Sequence, residues 1–413
     1  MTDVAATPRS ERWIAFSNKG FRLYWGAILC ASFSVQIQTV AVGWQVYDMT
    51  RNPLHLGLVG LSQFLPSLLL VLVTGAVADR FSRRTILRSC LLVEASCAAG
   101  LLAVTFWGLR EVAAIFAIMI VFGTARAFFN PARQSIISNL VPPAHLANAI
   151  TMGTTAFHMS TIAGPMVGGL LYGIQPELAY GTSVALLVTA FVLTVLMPPP
   201  VQSRSTGYPT WDSLAAGFRF IWREKVVLGA ISLDLFAVLM GGAAALMPVY
   251  ARDVLEVGPV GLGFLRAGMG IGGIVVGFWL MAHPIRDNAG SRMLWSVGAF
   301  GLCIGVFALS ETVWLSVAAL VLAGGFDMVS VYIRNTLIQS WTPDDLRGRV
   351  SAVNQVFVGA SNELGAFRAG SAAALIGAVP AVLIGGVGTM AIAVLWARWF
   401  PDLRRIRSLE GAG

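Results

Sequence analysis

Apolar runs long enough to cross a bilayer, separated by short polar segments, recur twelve times along the chain. A membrane-spanning helix needs roughly 20 such residues to cover a hydrocarbon core of about 30 Å. The runs predict spans at 22–47, 54–78, 86–107, 112–140, 147–174 and 178–197, then at 226–250, 259–282, 292–310, 313–340, 349–377 and 379–399. Between the sixth and seventh the pattern changes. Pro198-Pro199-Pro200 and a polar stretch lead into Trp211, Leu214, Phe218, Ile221 and Trp222 at helical spacing, with Arg219 and Arg223 beside them. That spacing predicts an amphipathic helix on the inner membrane surface. The organisation is an all-α membrane protein with a tail at 1–21, a six-helix half at 22–197, a linker at 198–225, a second six-helix half at 226–399 and a tail at 400–413.

The halves repeat each other. Gly123 to Arg126, Arg133-Gln134-Ser135-Ile136-Ile137 and Pro142 return as Gly324 to Asp327, Arg334-Asn335-Thr336-Leu337-Ile338 and Pro343, at a constant offset of 201 residues. Parallel repeats related by an axis along the membrane normal predict a rocking transporter with its site between the halves. A charge at the bilayer centre costs about 2.5–3.5 kcal/mol on insertion scales, so matched arginines inside spans are not incidental.

Composition fits this picture and removes others. The chain is 56% hydrophobic and 12% charged, against about 25% charged residues in soluble domains. The net charge of +8 does not form a nucleic-acid face. Of 28 Lys and Arg, 20 fall in the tails and even-numbered loops, three in the opposite loops (Arg51, Arg110, Arg252), and five inside spans (Arg126, Arg133, Arg266, Arg334, Arg368). The positive-inside rule therefore predicts a multi-pass protein of the cytoplasmic membrane with both termini in the cytoplasm. The first 19 residues lack a cleavable apolar core, so insertion is expected to use the first span. Cys30, Cys90, Cys97 and Cys303 lie in apolar stretches without a CxxC or a histidine cluster, predicting neither disulfide nor metal, and no cofactor is called for. His55, His145, His158 and His283 are scattered, which argues against a membrane enzyme.

After the second span comes Gly75-Ala76-Val77-Ala78-Asp79-Arg80-Phe81-Ser82-Arg83-Arg84. The run resembles the loop signature of the major facilitator superfamily, with Ser82 where that family usually has glycine. The resemblance implies a gating role for Asp79, Arg80, Arg83 and Arg84, with Asp79 docking near the start of span eleven at Arg347-Gly348-Arg349. Gly164-Pro165-Met166-Val167-Gly168-Gly169 in span five is similar to the superfamily's antiporter motif, which implies export by proton antiport. Small residues there let helices approach closely, and Gly268, Gly272, Gly273 and Gly277 make span eight the expected neighbour. Arg126 with Asn130-Pro131-Ala132-Arg133 partly matches the span-four arginine motif, through which Arg126 inherits a role in proton transfer.

Phe21 to Trp25, Gly43 to Tyr47, Leu233 to Phe236 and Arg334 to Arg349, running into Asn362-Glu363-Leu364-Gly365, resemble the enterobactin-exporter and macrolide-efflux branch of the superfamily's drug:proton antiporters. The resemblance covers essentially the whole chain and implies a monomer exporting an amphipathic small molecule, a siderophore or hydrophobic drug, with uptake or uniport within the same superfamily as the alternative.

Desolvation disfavours the charged form of an acid, which is how a carboxyl in a membrane cavity comes to exchange protons near neutrality. Glu94, Asp234, Asp327 and Glu363 lie within spans. Asp234, with few charged neighbours in sequence, is the first candidate for proton coupling and Glu363 the second. Asp327 occupies the repeat position of Arg126, which predicts an ion pair between the halves; Asp327 and Arg334 are read as gating residues. Gln36, Gln38, Trp44, Phe128, Met240 and Gln355 offer apolar walls with sparse polar handles for substrate.

Overall fold

In the computed structural model, which describes residues 11–199, 211–285, 287–344 and 346–406, the apolar runs fold as helices, and no strand occurs among the described residues. Asp79, Trp211 and Leu214 are described in backbone only, so the docking expected of the Asp79 carboxylate lies outside the described residues.

The first half comprises α1 (Lys19–Thr50), α2 (Pro53–Leu69), α3 (Val71–Arg80), α4 (Arg83–Phe106), α5 (Val112–Ile136), α6 (Leu146–Ile174) and α7 (Pro176–Leu196). The linker holds α8 (Trp211–Arg223). The second half comprises α9 (Lys225–Gly241), the short α10 (Met247–Val249), α11 (Gly258–Ala282), α12 (Ala289–Leu309), α13 (Val313–Trp341), α14 (Arg347–Ile376) and α15 (Ala378–Trp399), followed by α16 (Pro401–Arg405). Nine helical stretches among the described residues are long and apolar enough to cross a membrane on their own. The other three predicted crossings are α2 with α3, α6 and α14; the first is interrupted, and the other two carry more polar residues.

Two spans read as continuous are broken. The second stops at Leu70 and resumes as α3; Pro66 lies inside α2 one turn before the stop, and nothing in the structure assigns the break to one residue. The seventh stops at Gly241-Gly242 and continues through irregular turns and α10 to a wide-turn segment ending at Val254. The carbonyls freed at that break are satisfied from α14. Arg368 donates from Nε to Leu239 O at 2.9 Å and from Nη2 to Met240 O at 2.5 Å.

Within the first half α1 packs on α6 and α7, α4 on α5 and α7, and α2 on α5. In the second, α9 packs on α14 and α15, α11 on α13, and α12 on α13 and α15. The halves meet through α6 against α11 and α2 against α14. Near the termini each half has its own apolar core, one around Phe21, Leu87 and Phe129, the other around Leu233, Met293 and Leu337. At the opposite end a single core runs through both halves, from Val40, Tyr47 and Tyr180 to Leu246, Tyr250 and Phe307. Among the described residues, the apolar core is thus continuous between the bundles at one end and divided at the other.

The basic loop after α3 ties helix ends together. Arg83 Nη1 donates to Ser135 O at 2.7 Å and Asn139 Oδ1 at 2.5 Å, while Arg84 and Arg88 donate to Val195 O at 2.7 and 3.0 Å. Cations at helix C-termini satisfy the last carbonyls and complement the helix dipole. The amphipathic helix α8 is docked rather than free. A Cβ built on Gly217 would lie 3.0 Å from the Arg349 carbonyl carbon, and Ile221 is buried among Val227, Ile231, Ile338 and Val350. Phe218 and Trp222 remain exposed on its other face.

Candidate functional site

The end away from the termini is sealed by charge as well as by apolar packing. Asp48, at the end of α1, pairs with Arg252, and Arg51 Nη1 lies 3.2 Å from Asp253 Oδ1. Tyr47 donates its hydroxyl to the Asp253 carboxylate, and the Arg252 guanidinium stands 5.5 Å over the Trp44 ring. Each link joins one half to the other. Exposed ion pairs are worth about 0–1 kcal/mol individually, but these share partners and sit on an apolar seam. Reversing one charge, Arg252→Asp, sets a carboxylate against Asp48; transport should fall by roughly fivefold, equivalent to about 1 kcal/mol. Asp48→Arg in the same chain should recover much of it. Transport rates of the single and double variants check this.

Below the latch the halves touch backbone to backbone. In the α2–α14 seam a Cβ built on Gly370 would lie 2.7 Å from Pro53 O and 3.1 Å from Gly57 N. In the α6–α11 seam a Cβ on Gly263 would lie 2.6 Å from Pro165 O, and one on Gly169 would lie 3.2 Å from Gly263 Cα. The glycines of the antiporter-like motif divide between two partners. Gly164 and Gly168 pack on Gln36 and Ile37 of α1, and Gly169 packs on α11. Span eight is the expected neighbour, but the contact uses Gly263 and Gly270 rather than the four glycines read from the sequence. Gly268 and Gly272 meet Leu320 and Val321 of α13, and Gly273 and Gly277 lie near Met328. Positions 263 and 270 are seven residues apart and share a helical face, whereas 268 and 272 point elsewhere.

Beneath this seal lies a cavity of about 270 Å³ with walls from both halves. Gln38, Thr39 and Gln63 contribute polar groups from α1 and α2, Arg266 from α11, and Asn362 and Glu363 from α14. The C-half charges are accommodated by N-half glycines: Cβ atoms built on Gly43 and Gly60 would lie 3.7 Å from Arg266 Nη2 and 3.6 Å from Glu363 Cδ. The unwound segment after α9 supplies Ala244 and Ala245, in keeping with irregular backbone at membrane depth lining a cavity.

Several candidate residues lie elsewhere. Asp234 is buried in an ion pair with Arg334, between α9 and α13 of the second half, and neither lines the cavity. Arg126 Nη1 lies 3.8 Å from Oε1 of the fully buried Glu94. The pair expected between Arg126 and Asp327 is not among the ion pairs of the described residues. The reason is packing: α5 lies against α4, α2 and α3, all in its own half, so Glu94 is the carboxylate within reach. Gln38 faces the cavity, and Gln36 donates to Thr161 Oγ1 at 3.2 Å. Trp44 lies under the latch. Phe128 lines a lateral groove with residues of α3 and α4, Met240 packs on Gly388, and Gln355 is exposed on α14. Arg80 has an exposed side chain.

Asp48, Asp253 and Gln63 were not singled out from the sequence, and Arg51, Arg252, Arg266 and Asn362 were named there without a role in the seal or the cavity. The 201-residue offset carries part of the missing signal, since it relates Arg51 to Arg252, Gly164 to Gly365 and Gly169 to Gly370. The span-five motif thus has a counterpart in span eleven: Gly169 and Gly370 serve the seams between halves, while Gly164 and Gly365 pack within their own halves.

Residues 10–410 match the family described as transmembrane secretion effector. The chain is 29% identical to the enterobactin exporter EntS of Escherichia coli O127:H6 over 95% of this chain and 94% of that one. The same identity and coverage hold for EntS of E. coli O139:H28. Among solved structures, a variant of the nucleoside transporter NupG superposes with a TM-score of 0.74 at 14% identity, covering 93% of this chain and all of that one. A bacterial homolog of the human lysosomal transporter Spinster, in an inward-facing and unoccupied conformation, gives 0.71 at 14% identity over 97% and 100% of the two chains.

Proposed function

The chain belongs to the transmembrane secretion effector family of major facilitator transporters, and from that membership we propose that it exports an amphipathic small molecule in exchange for protons by alternating access of its two halves. It is a multi-pass membrane transporter and not an enzyme. Likeness to an enterobactin exporter along nearly the whole chain supports export and a siderophore-like or drug-like cargo. The bias of 20 basic residues toward the end bearing the termini supports a cytoplasmic location for that end. On this reading the structure is an inward-facing state of a monomer in a bacterial cytoplasmic membrane.

The observation that carries the proposal is Glu363, a carboxyl set in the cavity between the halves, beneath the sealed end. A proton carrier has to reach alternate sides of the membrane as the seal opens and closes. Glu363 meets that requirement by position, whereas Asp234 is held by Arg334 outside the cavity. Glu94 with Arg126 forms a second intramembrane acid–base pair, confined to the first half, where it can report protonation to the α4–α5 contact.

In proteoliposomes with an internal pH dye, enterobactin or a macrolide should move against an imposed proton flux. Glu363→Gln should reduce the coupled flux at least about tenfold, equivalent to about 1.4 kcal/mol, while ligand still equilibrates down its own gradient. Ligand movement with no proton counterflow in the unaltered protein would instead indicate facilitated diffusion.

A further inference from the structure

The cavity's polar groups define a ligand chemistry. Arg266 and Glu363 line the same cavity, and the pair is not among the ion pairs within 4.0 Å of the described residues. In the state in which Glu363 is ionised, their formal charges cancel inside a space bounded by apolar side chains such as Val42, Leu56 and Met119, and that state is the one whose ligand is considered. A net-charged ligand would bring an uncompensated charge into a weakly polarisable site, which is costly to bury. Two buried polar atoms in the same lining lack hydrogen-bond partners: Nε of Arg266, a donor, and Oε1 of Gln38, an acceptor. Gln38 is fixed from its other end, where Nε2 donates to Ser34 Oγ at 2.9 Å. The cavity wall therefore holds, just beneath its surface, a donor and an acceptor without partners.

We propose that this cavity recognises a neutral amide on an otherwise apolar ligand, the carbonyl accepting from Arg266 and the N–H donating to Gln38. An amide carries an acceptor and a donor on neighbouring atoms and has no net charge, so it satisfies both groups at once. An ester of the same shape accepts but cannot donate, leaving Gln38 Oε1 unmet. Carboxylates and ammonium ions unbalance the Arg266–Glu363 charges. A cavity of about 270 Å³ is smaller than the roughly 300–1,000 Å³ of typical ligand pockets, so it reads one group of a larger molecule. The inference rests on the reading of this cavity as the transport site.

The test is equilibrium binding to the full-length protein in nanodiscs, with four probes of matched shape: N-benzylbenzamide, benzyl benzoate, 4-benzylbenzoate and 4-benzylbenzylammonium. The amide should bind at least about tenfold tighter than the ester, since a site built to hydrogen-bond a group rejects the analogue lacking it, and both ions should bind more weakly still. Gln38→Leu should remove the preference for amide over ester. Arg266→Met should weaken both neutral probes by a similar factor, because each offers it a carbonyl. Strongest binding of either ion overturns the proposal, as does an amide preference that survives Gln38→Leu. A transport assay separates this from the underlying reading. Thr39→Cys coupled to a bulky maleimide should block both transport and amide binding. Blocked transport without any amide preference removes the inference and leaves the transport site standing. Amide selectivity that is lost on labelling while transport continues keeps the selectivity but removes the cavity from the transport path.

Discussion

Gly370→Val should trap the protein with its sealed end open. The position has no room for a side chain while α2 and α14 touch, because a Cβ would lie 2.7 Å from one backbone atom of α2 and 3.1 Å from another. Backbone cannot rotate aside as a side-chain tip can. Overpacking of this sort costs about 1–3 kcal/mol, which shifts a two-state equilibrium by roughly five- to 150-fold. The penalty falls only on the conformation in which the seam is closed, so folding of each half is spared and the opposite conformation gains. Spin labels at Arg110→Cys and Glu311→Cys, exposed in loops at that end of the two halves, should report longer separations in the variant. Transport should fall with them. An unchanged distance distribution would mean that this seam does not part during the cycle.

Asp234→Asn should unfold the protein before it uncouples it. Asp234 and Arg334 are both buried and paired, with side-chain exposures of 9% and 5%. Removing one partner of a buried pair leaves the other charge uncompensated, which typically costs about 3–5 kcal/mol. The single variant should lose much of its folded yield and thermal stability. Replacing both, Asp234→Leu with Arg334→Leu, should restore stability because no orphan charge remains. If that double variant still exchanges ligand for protons, the pair is structural. The opposite outcome, a stable Asp234→Asn protein that binds ligand but no longer couples, would return Asp234 to the role of carrier.

The all-helical character, the apolar spans and the helix at Trp211–Arg223 were legible because each depends on local periodicity. Partner choice was not. Asp234 looked isolated in sequence because Arg334 stands 100 residues away, on a helix that packing brings alongside. Arg126 looked bound for Asp327 because the repeat equates their positions, but the repeat says which residues are equivalent, not which are neighbours. The glycines of span eight showed that a close-packing face exists without showing which helix covers it. The break after α9 was hidden because Gly241-Gly242 reads as tolerable within an apolar run, and the Arg368 guanidinium that satisfies Leu239 O and Met240 O arrives from the distant α14.

The docking of α8 bears on how the polypeptide can be cut and rejoined. Gly217 and Ile221 bind this helix to the N-terminal part of α14 and to α9, so by its contacts the linker helix belongs to the second half. The covalent joint between the halves is then the stretch between Pro199 and Trp211. Two separately expressed chains, ending and beginning there, would each retain a full set of crossings, and the second would carry α8 as its own first segment. The molecule is in this sense two parts held together by their seams, with the peptide chain serving chiefly to keep them in equal number.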